Sequence, residues 1–474
     1  MEKKEQKTKT HQKVKLVPFE KERIKHMKIV RKPNAHTTLS VEAVLKKGTK
    51  ASYVEEAVAH KTIEVKLAPD DEVIFSGIIQ TISVKARKDL FHLYIEAVSH
   101  SQALDIPLVN RSYQDLSMTY EDLMEAAVED FNGEIMDKVT EGTTIDDFII
   151  QYQETPWAFI KRMASRFHVP LFPADVLDEP KVYVGLPDRE VVGKLNDFLF
   201  NVLKTADYYR ETKEGFKVEV YESDFQQYEV FSEKVLTLCD KITFRERDLY
   251  INEAVIELVD GVFMNVYKVT DKGGFHVNEI WNERIIGLSL EGEVVDVAKD
   301  DVQIMLDIDK PHPPDDHCWF KYATPYTSDN GGGFYNMPEM GEIVRLTFPT
   351  QFDKDAYSTT SVREAFAVGG ERGVPDIKYW RTLAGKEIMF LPGGIKLRCL
   401  DDEIFLYMME REGVLMQSSK PISIVASNGA GIGLSAEGKI VLAAGEEFDA
   451  FCNGSRINME DGTTKIRGNE ITEN

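Results

Sequence analysis

Four cysteines in 474 residues, Cys239, Cys318, Cys399 and Cys452, never stand at Cys-x-x-Cys spacing. Such scarcity excludes a disulfide-built secreted fold and fits synthesis in a reducing cytosol. The N-terminus is charged and lacks an apolar h-region, so no signal peptide is expected. No apolar run approaches the roughly 20 residues of a membrane span. A chain of this kind that leaves its cell is carried by something other than the general secretory route. Positive charge is also scarce. The 57 Lys and Arg stand against 80 Asp and Glu, and the net charge of -23 excludes the molecule as a whole from binding nucleic acid or an anionic membrane. Residues 1–33 alone reverse the sign, with twelve Lys/Arg to four Asp/Glu. This basic head reads as a disordered solubilising arm, or as an arm that docks on an acidic partner or a neighbouring copy.

Catalytic signatures are missing too. There is no Gly-x-Ser-x-Gly elbow, and His100, between Ser99 and Ser101, reads as a surface or turn residue. His312 and His317-Cys318, beside Asp315 and Asp316, form the one cluster that resembles a metal site. No second ligand pair follows it, and Pro311, Pro313 and Pro314 mark a loop. Gly331-Gly332-Gly333 lacks the Lys-Ser/Thr of a phosphate loop. Acidic pairs such as Asp240 and Glu246 are too common in so acidic a chain to nominate glycosidase carboxylates. We therefore assign no catalytic residue, cofactor or metal. Every histidine lies at or before residue 317, so the C-terminal region cannot build a histidine-ligated metal point by itself.

What is abundant is period-two alternation. Residues 34–118 and 175–280 carry strand runs such as Thr62–Leu67, Phe216–Val220 and Ala254–Leu258, read as two small barrels. The segment 119–174 between them carries helices at 119–130 and 156–168, the latter opening on Pro156. Trp157 and Phe159 in that helix read as core rather than as a base-stacking platform. Residues 281–370 show several short strands with long Pro- and Gly-rich loops, the pattern of an OB-like barrel. A connector, 371–393, follows.

From Gly394 to residue 474 the chain is a ladder of short strands. Apolar pairs two residues apart recur mostly every 8 to 10 residues: Ile395/Leu397, Ile404/Leu406, Val414/Met416, Ile422/Ile424, Ile432/Leu434, Ile440/Leu442, Ile457/Met459, and then Ile466. Turn formers such as Glu437-Gly438 and Asp461-Gly462 separate them. A stack this narrow has one apolar stripe and no width to bury it, so it must meet copies of itself or wind into a solenoid. At about 4.8 Å per strand, roughly ten strands make a rod about 45–50 Å long.

Three blocks carry a resemblance. Asp71–Ile79, with Phe75 and Gly77, is followed by Ala97-Val98-Ser99, Ala103-Leu104-Asp105 and Arg111-Ser112-Tyr113-Gln114. Gln151–Arg162 holds Glu154, Trp157, Phe159 and Arg162 in a "Y-x-E-t-x-w-x-F-i-x-R" pattern. Trp319–Tyr322 precedes Gly333–Phe348, which contains Pro338, Gly341 and Glu342. In this order the blocks resemble the spike-hub proteins of contractile injection systems: the VgrG proteins of type VI secretion and the phage tail hub, late control protein D-like, family. One departure is Gln351–Ala356, which stands where the family has "G-D-p-x-r-P".

The resemblance implies a mainly β fold of two hub barrels with inserted helices, an OB-fold barrel and a C-terminal trimeric β-prism needle. It implies a non-enzymatic homotrimer that couples a hexameric tail-tube protein to a membrane-piercing needle, with baseplate proteins as neighbours. A separate PAAR-like tip protein would hold any metal, and effector cargo would come from partners. Assembly would be cytoplasmic, with the target membrane met only on firing. No appended C-terminal toxin and no lysozyme domain between barrel and rod are expected. Two other classes stay open: a tail-associated cell-wall hydrolase or polysaccharide-acting β-solenoid enzyme, and a receptor-binding adhesin.

Overall fold

The structure, a computed structural model, describes residues 14–45, 61–87, 90–195, 199–204, 226–328, 332–362, 376–399, 403–426 and 433–470, with a few single positions besides. The fold is mainly β. Two compact units divide the chain, Met1–Glu364 and Ala365–Asn474.

The first unit is organised by one 13-stranded sheet rather than by two separate ones. Lys21–Arg31 lies between Thr38–Leu45 on one side and Arg247–Val259 on the other, antiparallel to both. That pairing joins the two expected halves edge to edge. It also corrects the reading of residues 1–33 as a disordered arm. Val14–Val17 and Lys21–Arg31 are strands, with Val14, Ile24, Met27 and Ile29 buried; residues 1–13 lie outside the described residues. Apolar side chains supply the core there while most of the basic ones stay toward solvent, Arg31 being buried. The expected strand at 216–220 also lies outside the described residues.

Two hydrophobic cores line this sheet, and Ile256 and Leu258 of the second half complete the first of them. Ile24, Ile29, Val65, Phe75, Ile95, Ile256 and Leu258 pack in one cluster; Val230, Ile242, Phe244, Ile251, Tyr267 and Val269 pack in another. Burying each such side chain contributes about 1.5–3 kcal/mol. Gly77 in the first half has a steric reason to be glycine: a Cβ there would run into the Val98 carbonyl of the neighbouring strand and the Phe75 ring.

Two helices lie on a third core. Helix α1, Tyr120–Val128, is started by a reciprocal capping box between Thr119 and Asp122. Helix α2, Pro156–Ser165, begins at a capping Thr155, whose Oγ1 accepts the Ala158 N–H at 3.1 Å. Leu123, Met124, Trp157, Phe159 and Ile160 from the two helices pack with Leu171, Val182 and Val184.

A five-stranded sheet follows, in the order Trp319–Lys321, Asp301–Leu306, Ser289–Ala298, Ile343–Thr347, Tyr357–Val362. A bridge between Tyr322 and Ser358, and a 2.8 Å hydrogen bond from the Ala323 N–H to the Ser358 carbonyl, draw its two edges together. Its core includes Phe148 and Ile150 from the segment before α2.

The second unit holds a five-stranded meander over Lys378–Ser418 and a three-stranded one over Glu447–Arg467. The first meander begins within the expected connector 371–393: Lys378–Arg381 and Glu387–Leu391 are strands. A second correction concerns 421–426 and 433–444, which carry no strand although Ile422/Ile424, Leu434 and Ile440/Leu442 continue the period; Ile432 lies outside the described residues. Alternation supplies an apolar stripe, but a strand also needs a ladder partner. Among the described residues of one chain this stretch pairs with none.

Candidate functional surfaces: a buried charge joint and an open sheet face

The block Gln151–Arg162 folds into a strand, a turn and α2, and its polar members meet in the interior. Arg162 is 1% exposed; its Nε and Nη2 donate to the Glu154 carboxylate, Nη1 donates to Asp353 Oδ2 at 3.2 Å, and Nη2 also reaches the Ile150 carbonyl at 2.7 Å. Arg166, one turn on, donates to the same Asp353 oxygen at 2.7 Å and to the Tyr120 hydroxyl at 3.0 Å. Burial works against the Arg162 charge, but Asp353 and Glu154 outweigh it and hold its pKa above the ordinary arginine value. One guanidinium thereby ties α2 to the segment after Phe348. Asp353 sits within Gln351–Ala356, the run where the sequence departs from the hub pattern. Trp157 and Phe159 are core: Trp157 lies 4.3 Å from the His36 ring and Phe159 stacks on Tyr113 at 5.3 Å.

The third block does not join this network. Trp319 is half exposed on an outer strand, while Pro338 is buried. Gly341 has φ of 84°, a region favouring glycine, and its N–H donates to the Val294 carbonyl at 2.8 Å; the Glu342 carbonyl accepts from the Val294 N–H at 2.9 Å. These residues fix the entry of the Ile343–Thr347 strand. A second buried tie joins the sheets here: Asp309 accepts from the Ser112 N–H at 2.6 Å and from its hydroxyl at 2.5 Å. Desolvation pushes the Asp309 carboxyl up, with the Ser112 hydrogen bonds opposing.

The residues weighed for chemistry are scattered. Cys318 is buried, its thiol 3.1 Å from the Gln114 carbonyl, and burial raises its pKa to about 12. His312 lies 3.8 Å from Asp130, and the His317 N–H donates to Asp316. His100 is half buried against Ser76 rather than free on the surface. Asp240 pairs with Arg189 at 2.7 Å, while Glu246 is an exposed turn residue. Gly331 lies outside the described residues.

In the second unit several of the residues expected to line a needle share one face of a sheet. Register places Ile388, Leu397, Leu406 and Met416 in one cross-strand row and Phe390, Ile395, Met408 and Val414 in the next, both on the same face; Ile404 is in line with Cys399 and Ser418. This apolar face is open in the single chain: Val414 is 73% exposed and Met416 55%. Ile422, Ile424, Leu434, Ile440 and Leu442 are equally open. In the last meander Ile457 faces Ile466 directly, and Met459 faces Phe448. The opposite face of the first meander is the one closed within the chain, where Glu387 is held between Arg381 and Arg398 beside buried Met389 and Phe405. Ile388 and Phe390 extend the apolar row one repeat earlier than expected. Their two-residue spacing before Gly394 was the signal.

No family model matches the sequence, and no curated protein matches it. Solved structures do. The E. coli c3393 protein, a type VI secretion system component described as structurally similar to T4 bacteriophage tail proteins gp27 and gp5, matches at a TM-score of 0.54 and 13% identity, over 74% of this chain and all of that one. A chain of the half-lidded Francisella PdpA-VgrG complex matches at 0.53 and 9% identity, over 87% of this chain and 88% of that one. A lidless PdpA-VgrG complex gives 0.51 and 10%, over 83% and 93%. The chain has the fold of a VgrG-like tail hub.

Proposed function

We propose that the chain is the structural spike-hub subunit of a contractile injection system, working as a homotrimer. The observation that carries this reading is the open apolar face of the Lys378–Ser418 meander, continued by Ile422, Ile424, Leu434 and Ile440. Exposed apolar area of that extent marks an interaction surface. Three copies around one axis bury three such stripes together and supply the ladder partners that residues 421–426 and 433–444 lack. On this reading residues 378–467 form the needle, and the five-stranded sheet is an OB-fold barrel. The 13-stranded sheet contributes two barrel-like halves per chain, so three chains give a pseudo-sixfold collar suited to a hexameric tube. The protein then assembles in the cytoplasm with baseplate proteins, meets a target membrane on firing, and takes any metal tip or cargo from partners. Sedimentation equilibrium of the full chain tests this: trimers are expected, and a stable monomer at micromolar concentration overturns it. Zymography on cell-wall material is expected to show no lysis.

A further inference from the structure

Residues 271–288 carry the chain from Asn265–Thr270, a strand of the 13-stranded sheet, to Ser289–Ala298, the first strand of the five-stranded one. This link is fastened to the C-terminal end of α2. The Val277 N–H donates to the His168 carbonyl at 3.1 Å, His168 Nδ1 lies 3.2 Å from the Val277 carbonyl, and the Ile280 N–H donates to Ser165 Oγ at 2.9 Å. A carbonyl only accepts, so His168 Nδ1 carries the proton. Two partly buried imidazoles lie face to face on this fastening: the rings of His168 and His276 are 4.6 Å apart and 19° from parallel. Burial, and then the neighbouring His168, lower the His276 pKa, with Asp224 opposing. Asp224 closes over Gly273 and Gly274, where a Cβ would strike it. Of the other charges on the adjoining elements, Asp271 is paired with Arg247 and Arg166 with Asp353, while Lys272 adds a positive charge on the turn that carries His276.

We propose that the stacked His168–His276 pair is an acid-operated release for this link. While both rings are neutral they stack, and the paired hydrogen bonds between His168 and Val277 hold the link against α2. One proton on the pair is balanced by Asp224. A second places two like charges face to face where burial already works against charge. The rings then part, and the His168–Val277 hydrogen bonds go with them. The sign follows from His276, whose folded pKa lies below its unfolded value: the stabilisation is full above about pH 6.5 and is lost as pH falls below it. The opening is local. The Arg162–Asp353 joint holds no histidine and keeps the five-stranded sheet docked on α2. The pair lies within the first unit and works the same way in one chain as in three.

Hydrogen exchange of the full chain, read by mass spectrometry at about pH 7.5 and about pH 5.5 and corrected for intrinsic rates, tests this. Protection of the amides at 277–281 should fall at least about tenfold at the lower pH, while the seam between Lys21–Arg31 and Arg247–Val259 keeps its protection. Two variants remove the titration and keep the packing. His276→Phe leaves an aromatic ring in the stack with no proton to take up. His168→Asn suits the left-handed backbone there, φ 57°, and keeps an amide N–H close to the position of Nδ1. Both should hold the link equally well at the two pH values. Unchanged protection of the parent's link at the lower pH, a loss spread evenly over the chain, or the same loss in either variant would each overturn the proposal.

Discussion

The Arg31 guanidinium donates through Nε to the Asp175 carboxylate at 2.5 Å, with both side chains almost wholly buried. The pair ties the strand that joins the two sheet halves to the loop before Lys181. Arg31→Ala leaves a buried, uncompensated carboxylate and should cost about 3–5 kcal/mol. Urea denaturation will measure this. The double variant Arg31→Met/Asp175→Leu should recover most of the loss, since an apolar pair needs no solvation.

The Asp309–Ser112 tie predicts a pH effect with a definite sign. Burial raises the Asp309 pKa above its unfolded value. The folded chain therefore keeps its proton after the unfolded chain has lost it. The associated stability is full below the unfolded value of about 3.9 and falls as pH rises through the higher folded one. Asp309→Asn should gain stability relative to the parent as pH rises from about 4. Paired urea midpoints across that range would show the difference widening. A constant offset would contradict the sign.

Gly77 should tolerate no side chain. With the Val98 carbonyl and Phe75 in the way, Gly77→Ala should destabilise the first half by about 1–3 kcal/mol, the usual range for overpacking. Thermal unfolding followed by circular dichroism would register the shift.

Ile424→Asp and Leu434→Asp should abolish the proposed trimer, because three carboxylates would converge on a dry axis. Leu406→Asp, in the middle of the open row, should do the same. Sedimentation velocity is expected to show monomers for all three. A variant that still runs as a stable trimer contradicts the axial placement of its residue.

The parts that could be read from sequence were those whose local chemistry is complete. Helix α2 announces itself through Thr155, Pro156 and the Trp157/Phe159/Ile160 face. The rod's pairs, two residues apart, announce a one-sided strand. The Lys21–Arg31 strand escaped notice for two reasons. Its lysines and arginines dominate the composition, and bulges at Lys21/Arg23 and Ile24/His26 break the alternation of Ile24, Met27 and Ile29. Asp353 escaped because its partners, Arg162 and Arg166, lie 191 and 187 positions away. No local pattern carries such a pairing. Residues 421–426 and 433–444 form no strand within the single chain for the converse reason: alternation states which face is apolar, not whether a partner strand lies in the same chain.

The pairing of Lys21–Arg31 with Arg247–Val259 also sets a timetable. His26 and Glu257, 231 positions apart, meet at 2.8 Å across it. On the ribosome the early strands can form hairpins among themselves, but the seam of the large sheet must stay open until its distant partner has been made. Such non-local closure is slow and leaves an unpaired edge exposed while it waits. The interval between those two syntheses is where this chain is most vulnerable to mispairing with its sister copies.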